Sequence, residues 1–390
     1  MKSEKKKKIL IVFPNTWLNY SPTTLNVAKK LAKNYHVTIM HTGTYNQIQS
    51  DELSQQGIYL ISQDAKPDFF WYFANLRHHL IRGLRKIGFL PPPDAQKVVK
   101  NITFYYYIKF LFFAFFQKKD LIIAIDNFGL WVAQNLHKKV IWLSLEVEKD
   151  AMYYKLYLQK VQALVIQSEE RKEYLVGENS EFPVFYLQNA PAFVPNLQPK
   201  HKANQKLLYF GYIIPIHGIE EMIEALSQLE PCYSLTLKGH IFEKYENELL
   251  QKYQKLFESN RLILDKKYIA DEEIAGYISG FACGFCLYNP DEQGAYSFNY
   301  ESSPSGKLFH YYNAGIPVIA SDILGLNSAK EFGCGVSVAH STPEYIKNAI
   351  VQIEENHQQF SENARKAAQH YDFDANYQAL NKYIYEQIGG

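Results

Sequence analysis

Cysteine is scarce in this 390-residue chain, which has 4: Cys232, Cys283, Cys286 and Cys334. So sparse a set argues against a disulfide framework and fits a reducing compartment. Cys283 and Cys286 form a C-x-x-C, but they sit inside the apolar run Phe281 to Tyr288, with no second Cys or His pair at zinc-finger spacing. That run is expected to be a buried strand. An excess of one charge is missing too: Lys+Arg 41 against Asp+Glu 40 leaves a net charge of +1. No global field therefore points to nucleic acid, and no nucleic-acid partner is expected. No apolar run reaches the ~20 residues needed to span a bilayer. The longest, Ile102 to Phe116, is interrupted by Lys109. The basic start Met1 to Lys8 has the look of a signal-peptide n-region, but the apolar residues Ile9 to Phe13 stop at Pro14-Asn15, too soon for an h-region. A soluble, cytoplasmic protein is expected. Finally, the first strand–helix turn, Pro14 to Pro22, contains no glycine. A Gly-rich dinucleotide fingerprint is thus absent, which argues against a nicotinamide oxidoreductase.

What is present is a globular composition, 47% hydrophobic and 21% charged, in a chain long enough for two domains. Aromatics are abundant, with 30 Tyr and 25 Phe. Carbohydrate stacking, a membrane-facing surface and ordinary core are all uses that fit them. Short β-rich runs alternate with helical spacing. Strands are expected at 9–13, 36–41, 57–61, 121–125, 139–143 and 161–167, with a helix over 24–33. The stretch from Asn189 to Lys202, with prolines at 191, 195 and 199, reads as a connector. The rhythm then restarts, with strands at 206–210, 233–238, 261–264, 284–288 and 316–320, a helix over 218–229 and a terminal helix over 376–388. The expected class is α/β, two Rossmann-like domains facing across a cleft. The boundaries are 1–190, a linker at 191–205, 206–370, and a C-terminal helical segment at 371–390 that packs back on the first domain.

The segment Glu301 to Ser321 carries the most chemistry. Ser303 is a good N-cap and Pro304 suits the first helical position. Gly306 would keep the first turn open to a ligand, and Lys307 adds a full charge there. A helix N-terminus with unpaired N–H groups and a positive dipole end is suited to an anion, so a diphosphate could be held without a metal. Gly315 ends the helix. A plainly capped helix explains the same residues equally well.

The run Ser303-Pro-Ser-Gly-Lys-Leu-Phe309, with Ala314-Gly-Ile-Pro-Val-Ile-Ala-Ser321, resembles the donor-site signature of retaining GT-B glycosyltransferases, glycosyltransferase family 4 in particular. Leu207 to Ile219 is similar to that family's strand–glycine–loop facing the donor phosphates, and Tyr268 to Tyr277 to the segment near the nucleotide base. Phe332 to Val336 resembles the stretch after the donor helix, while Gln162 to Ser168 and Leu187 to Pro191 resemble the last strands of the first domain. The resemblance implies transfer of a sugar, a hexose in the usual case, from a nucleoside diphosphate sugar to a glycan or lipid-linked acceptor in polysaccharide or glycoconjugate biosynthesis. It implies retention of anomeric configuration, and no cofactor beyond the nucleotide-sugar co-substrate. Its donor and phosphate residues would be Gly211, His217, Glu301, Ser303, Ser305, Gly306, Lys307 and His310. Tyr268 and Ile269 would lie at the base, and Trp17, Asn19 and Tyr20 on the acceptor-facing turn.

The chain departs from that pattern. The usual Arg after the first glycine is Tyr212, and the usual Lys before the second is His217. The family's Glu-x7-Glu falls on Ser302 and His310, with Glu301 one residue out of register. Lys307 therefore carries more of the phosphate charge. The catalytic candidates are Lys307 and Glu146, which follows a predicted strand where α/β folds place ligand-contacting residues. Glu146 could act as a base or stabilise positive charge on the sugar, or be a solvated loop charge. Asp372-Phe-Asp374 has the spacing of a metal motif, but it precedes the terminal helix and reads as capping, so no metal site is expected. The basic stretch Asn75 to Phe89 fits either a helix on the inner face of an anionic membrane or one packed on the core. A catalytically degenerate subunit that partners an active glycosyltransferase is the alternative function. A sugar-nucleotide epimerase would need acid–base groups that only Glu301 and His310 offer.

Overall fold

The computed structural model describes residues 6–14, 18, 21–43, 47–63, 68–86, 101–136, 139–147, 160–177, 182–197, 205–290 and 297–389. The chain divides into two compact units, Met1–Leu187 with Tyr377–Gly390, and Gln188–Asn376.

The first unit is built on a seven-stranded sheet in the order β3-β2-β1-β4-β5-β6-β7. Its strands are β1 Lys8–Phe13, β2 His36–His41, β3 Ile58–Ser62, β4 Leu121–Ile125, β5 Val140–Leu143, β6 Val161–Ile166 and β7 Val184–Tyr186. All pairings are parallel. Parallel strands covered on both faces must be apolar throughout, and β4 and β5 are buried at every position. The strand order reverses between β1 and β4, which makes that point a crevice at the carboxyl edge. Helices Phe69–Lys86 and Asn101–Phe116 pack together in this unit. The first of them starts six residues before the basic stretch read from the sequence, while Ile87 to Phe89 lie outside the described residues.

The second unit repeats the plan with six parallel strands, ordered β10-β9-β8-β11-β12-β13. They are β8 Lys206–Phe210, β9 Ser234–Lys238, β10 Leu262–Asp265, β11 Cys283–Cys286, β12 Val318–Ser321 and β13 Gly335–Val338. The C-x-x-C is strand β11, buried along its length, and burial pushes the Cys283 thiol up to about 12. Here the order reverses between β8 and β11. One apolar core lies around Leu235, Leu237 and Ile223, and a second around Leu308, Tyr311 and Ile316.

The Pro-rich segment is not a free connector. Ala190 is buried in the second core, and Phe193 and Leu197 pack against it. Its backbone is tied down by Asn313, which accepts from Val194 N–H at 3.0 Å and donates to Ala192 O at 3.0 Å. Asp372 Oδ1 accepts from Phe193 N–H at 2.9 Å. The same carboxylate accepts from Asp374 N–H at 3.2 Å and Ala375 N–H at 3.3 Å, which caps the terminal helix Phe373–Ile388.

Candidate functional site

The site grows from the reversal point of the second sheet. A Cβ on Gly284, in the middle of β11, would lie 2.5 Å from the Tyr311 ring, so the missing side chain is what admits that ring. The Tyr311 hydroxyl then accepts from Phe210 N–H at 2.9 Å and donates to Phe285 O at 3.1 Å, joining β8 to β11. This fixes the helix Gly306–Ala314 over the carboxyl ends of the two strands. Gly315, at φ 69°, ends it in the left-handed conformation that glycine adopts without strain.

The start of that helix differs from the sequence reading. The cap is Ser305 and the first helical residue Gly306, not Ser303 and Pro304. Ser303 instead closes the preceding short helix Phe298–Ser302 in an extended conformation, as suits a residue before proline. Gly325 holds it there: a Cβ at Gly325 would fall 2.2 Å from Ser303 O. Gly306 does not leave an open approach either. A Cβ on it would meet Asn189 Nδ2 at 2.7 Å, so the glycine makes room for the chain entering this unit. The Ser305 side chain does not cap the helix; its Oγ accepts from the Tyr288 hydroxyl at 3.1 Å. The first N–H groups of a helix have no intrahelical acceptor, and the anion-binding property of this end is retained.

Lys307 is buried between two tyrosine rings. Its Nζ lies 4.9 Å from the Tyr209 centroid and 5.0 Å from that of Tyr288, and 3.4 Å from the Tyr209 hydroxyl. Among the described residues no carboxylate pairs with it. Burial lowers its pKa below the ordinary lysine value. The ring faces offset part of that penalty. Gly211, at φ 141°, borders the ammonium stem, because a Cβ there would stand 3.3 Å from Lys307 Cε. A second glycine, Gly239, approaches so closely that a Cβ on it would lie 1.8 Å from Gly211 O.

His217 joins the same cluster. Its Nδ1 stands 2.6 Å from the Tyr209 hydroxyl and 2.8 Å from Tyr212 O, and its ring meets Tyr288 edge-on at 5.1 Å. Burial, and then the charge of Lys307, drive its pKa down to about 3. It is a neutral hydrogen-bonding group and not a second phosphate cation. Lys307, Gly211, His217 and Ser305 are thus brought together, with Gly306 beside them. Glu301 and His310 are not part of the cluster. Glu301 is half-buried on the short helix, and His310 packs on the Phe210 ring at 5.7 Å, with burial lowering its pKa to about 4. Tyr268 and Ile269 follow β10 at the carboxyl edge; Tyr268 is exposed, and Ile269 packs on the second core.

Sequence reasoning did not single out Tyr209 and Tyr288, which read as core residues of apolar strands. It also did not see the platform of Tyr212, His240 and Phe242, where Tyr212 stacks on His240 at 5.3 Å and meets Phe242 edge-on at 5.6 Å. The one available clue was position: each lies near or just beyond the carboxyl end of a parallel strand.

In the first unit, Trp17, Asn19 and Tyr20 lie outside the described residues. Glu146 is described and half-buried, three residues beyond β5. Its backbone is fixed by Asp126, the residue after β4, whose Oδ1 accepts from Leu145 N–H at 2.7 Å and Glu146 N–H at 2.9 Å. Asp126 has φ 52°, a conformation uncommon for a residue with a side chain. Arg171 is fully buried nearby; burial lowers its pKa to about 10, against the opposing fields of Glu146 and Asp126. Glu146 is therefore a half-buried charge in a loop beside the buried Arg171 and Asp126.

No family model matches the chain, and no curated protein matches it in sequence. Solved structures do match its fold. HepE from Anabaena in complex with UDP-glucose has a TM-score of 0.64 at 16% identity, over 97% of this chain and 99% of that one. A glycosyltransferase from Rickettsia africae gives 0.64 at 15%, over 98% and 99%. A UDP-N-acetylglucosamine 2-epimerase gives 0.59 at 11%, over 98% and 96%. The fold is GT-B, two Rossmann-like units of parallel sheet with helices.

Proposed function

We propose that the protein is a glycosyltransferase that moves a sugar, a hexose in our reading, from a nucleoside diphosphate sugar to a glycan or lipid-linked acceptor. In this reading it acts with retention and without a metal, in the cytoplasm at the inner face of the membrane. The observation that carries it is the buried Lys307 ammonium, with no carboxylate partner among the described residues, at the N-terminus of the Gly306–Ala314 helix and beside Gly211. A diphosphate placed there would receive the helix N–H groups and the one full positive charge of the cluster, which stabilises a leaving group as its negative charge develops. Tyr268 and Ile269 would flank the base. In the first unit Glu146, held by Asp126, would serve the reacting sugar, and the turn bearing Trp17, Asn19 and Tyr20 the acceptor. The ligands of HepE and the activity of the Rickettsia protein agree with this reading.

The test is calorimetric titration with UDP, GDP, ADP and CMP, followed by turnover of the corresponding sugar donors. Binding of one nucleotide, with slow release of its sugar, is expected. A chain that binds none of them would overturn the donor site and leave the degenerate binding subunit as the better account.

A further inference from the structure

The first unit has an apolar face that no described residue covers. On the helix Phe69–Lys86, the residues Phe69, Tyr72, Phe73, Leu76 and Leu80 recur at spacings of three and four and are all exposed. They form a single stripe pointing outward, whereas Ala74 on the far side is fully buried. A helix of a soluble domain turns its apolar stripe inward, so this arrangement is the reverse of the usual one. The neighbouring helix Asn101–Phe116 extends the stripe with exposed Phe112, Phe115 and Phe116. The rings run together, Phe70 to Phe112 at 5.2 Å and Phe112 to Phe116 at 5.0 Å. At ~150–250 Å² for a fully buried aromatic side chain, these partly exposed groups present on the order of 900 Å². That exceeds the ~300–600 Å² of the largest patch on an ordinary soluble monomer.

Within the two helices the charges have one sign. The segment Phe69–Lys86 contains Arg77, Arg82, Arg85 and Lys86 and no Asp or Glu, and Asn101–Phe116 likewise contains neither acid. On the first helix, exposed His79, Arg82 and His78 lie successively further round from the stripe, and exposed Lys118 follows Phe116 on the second. Lys109, the cation within the second helix, is turned inward, 3.0 Å from Asp68 and 2.9 Å from the Tyr105 hydroxyl. The exposed face is therefore left apolar, with the exposed cation Lys118 just beyond the end of its second helix. Two copies of it brought together would oppose like charges with no carboxylate in either helix to answer them.

We propose that this face docks on an anionic lipid bilayer, with the Phe and Leu side chains at the boundary between headgroups and acyl chains and Lys118 among the phosphates. Among the described residues no helix is long and apolar enough to cross a membrane, so the contact lies along the surface. The proposal extends the reading above from a lipid-linked acceptor to the surface that would carry it. It stands on the first unit alone, so vesicle binding and nucleotide binding can fail independently.

The experiment is co-sedimentation of the full chain with phosphatidylcholine vesicles, with and without phosphatidylglycerol, at low and high salt. The wild-type chain is expected to partition onto the anionic vesicles. A Phe69→Ser, Phe73→Ser, Leu76→Ser variant should lose roughly tenfold or more of that partitioning. Phe115→Ser with Phe116→Ser on the other helix should weaken it independently. Lys118→Gln should cost about fivefold, on anionic vesicles at low salt only. Nucleotide affinity should stay at the wild-type value throughout, which also certifies the fold. Wild-type protein that ignores both vesicles would overturn the proposal, as would binding that both serine variants retain. A concentration-dependent dimer abolished by the serine variants would assign the face to a second copy and overturn it equally.

Discussion

Replacing Lys307 by Met separates the two roles that a buried ammonium can have. The side chain lies between the Tyr209 and Tyr288 rings, with one long contact of 3.4 Å to a hydroxyl and no ion pair among the described residues. Taking an ammonium out of water costs several kcal/mol even after relaxation, whereas two desolvated ring faces return about 1–2 kcal/mol each. Met keeps the length of the stem and makes sulfur–aromatic contacts worth ~0.3–1.5 kcal/mol with the same rings. Lys307→Met should therefore leave the second unit as stable as before or more stable by about 1 kcal/mol, a rise of roughly 2–4 °C in Tm. Ligand binding should move the other way. A charge-assisted hydrogen bond to phosphate is worth ~1.5–3 kcal/mol, so affinity for the bound nucleoside diphosphate should fall roughly ten- to hundredfold. The native pKa of Lys307 is lowered by burial, so the unfolded chain holds this proton more tightly. Wild-type stability should then rise as pH rises through the lowered native pKa toward the ordinary value of ~10.4, and the Met variant should lack that rise. Scanning calorimetry and nucleotide titration on the same two preparations read both effects. A Met variant that binds nucleotide like the wild type refutes the phosphate role. One that melts several degrees lower refutes the argument that the charge costs stability.

His217 should give an acid-sensitive fold. Its native pKa of about 3 lies below the ordinary histidine value, so the unfolded chain takes up the proton first as pH falls. Stability is full above ~6.5 and declines by up to ~1.4 kcal/mol per pH unit below it, until the native group also titrates. Urea unfolding of His217→Gln at neutral and mildly acidic pH should show a slope smaller by that amount; an unchanged slope would show that this imidazole is not held neutral. In the first unit, Asp126→Ala should cost about 2–4 kcal/mol, since it strands the Leu145 and Glu146 amides and leaves a non-glycine residue at φ 52°. Asp126→Asn, which still offers an acceptor and tolerates that conformation, should cost much less. Both should leave nucleotide affinity unchanged, and equal melting points for the two variants would refute the positioning role.

The sheets were the most legible part of the fold. His36–His41, Leu121–Ile125 and Lys206–Phe210 are strands over the same residues in sequence and structure, because short continuous apolar runs between polar boundaries have few other uses. β13 was less so: Gly335–Val338 is short and only half-buried, and it is specified by pairing with β12. The start of the Gly306–Ala314 helix was misplaced by two residues for a similar reason. Ser303 and Ser305 are equally good caps locally, and what chooses between them is the approach of Gly325 to Ser303, distant in sequence. The tyrosine cage around Lys307 was hidden because Tyr209 and Tyr288 obey the apolar pattern of their strands. Only the register of β8 against β11 turns two core-like residues into walls of one site. The basic stretch showed its charge in the sequence, but not that the apolar side of its helix would face outward.

The segment Tyr377–Gly390 belongs to the first unit. Tyr377, Leu380 and Ile384 are buried, and the Tyr383 hydroxyl donates to Gln162 O at 2.6 Å. Lys139 Nζ likewise donates to Gln387 O at 2.6 Å. On the ribosome, Gln188–Asn376 emerges as one continuous piece and can close its core without waiting for anything else. The unit begun before it must stay unfinished until Tyr377–Gly390 has emerged, with its apolar strands short of their final cover. Deleting Tyr377–Gly390 would thus injure the amino-terminal unit while sparing Gln188–Asn376.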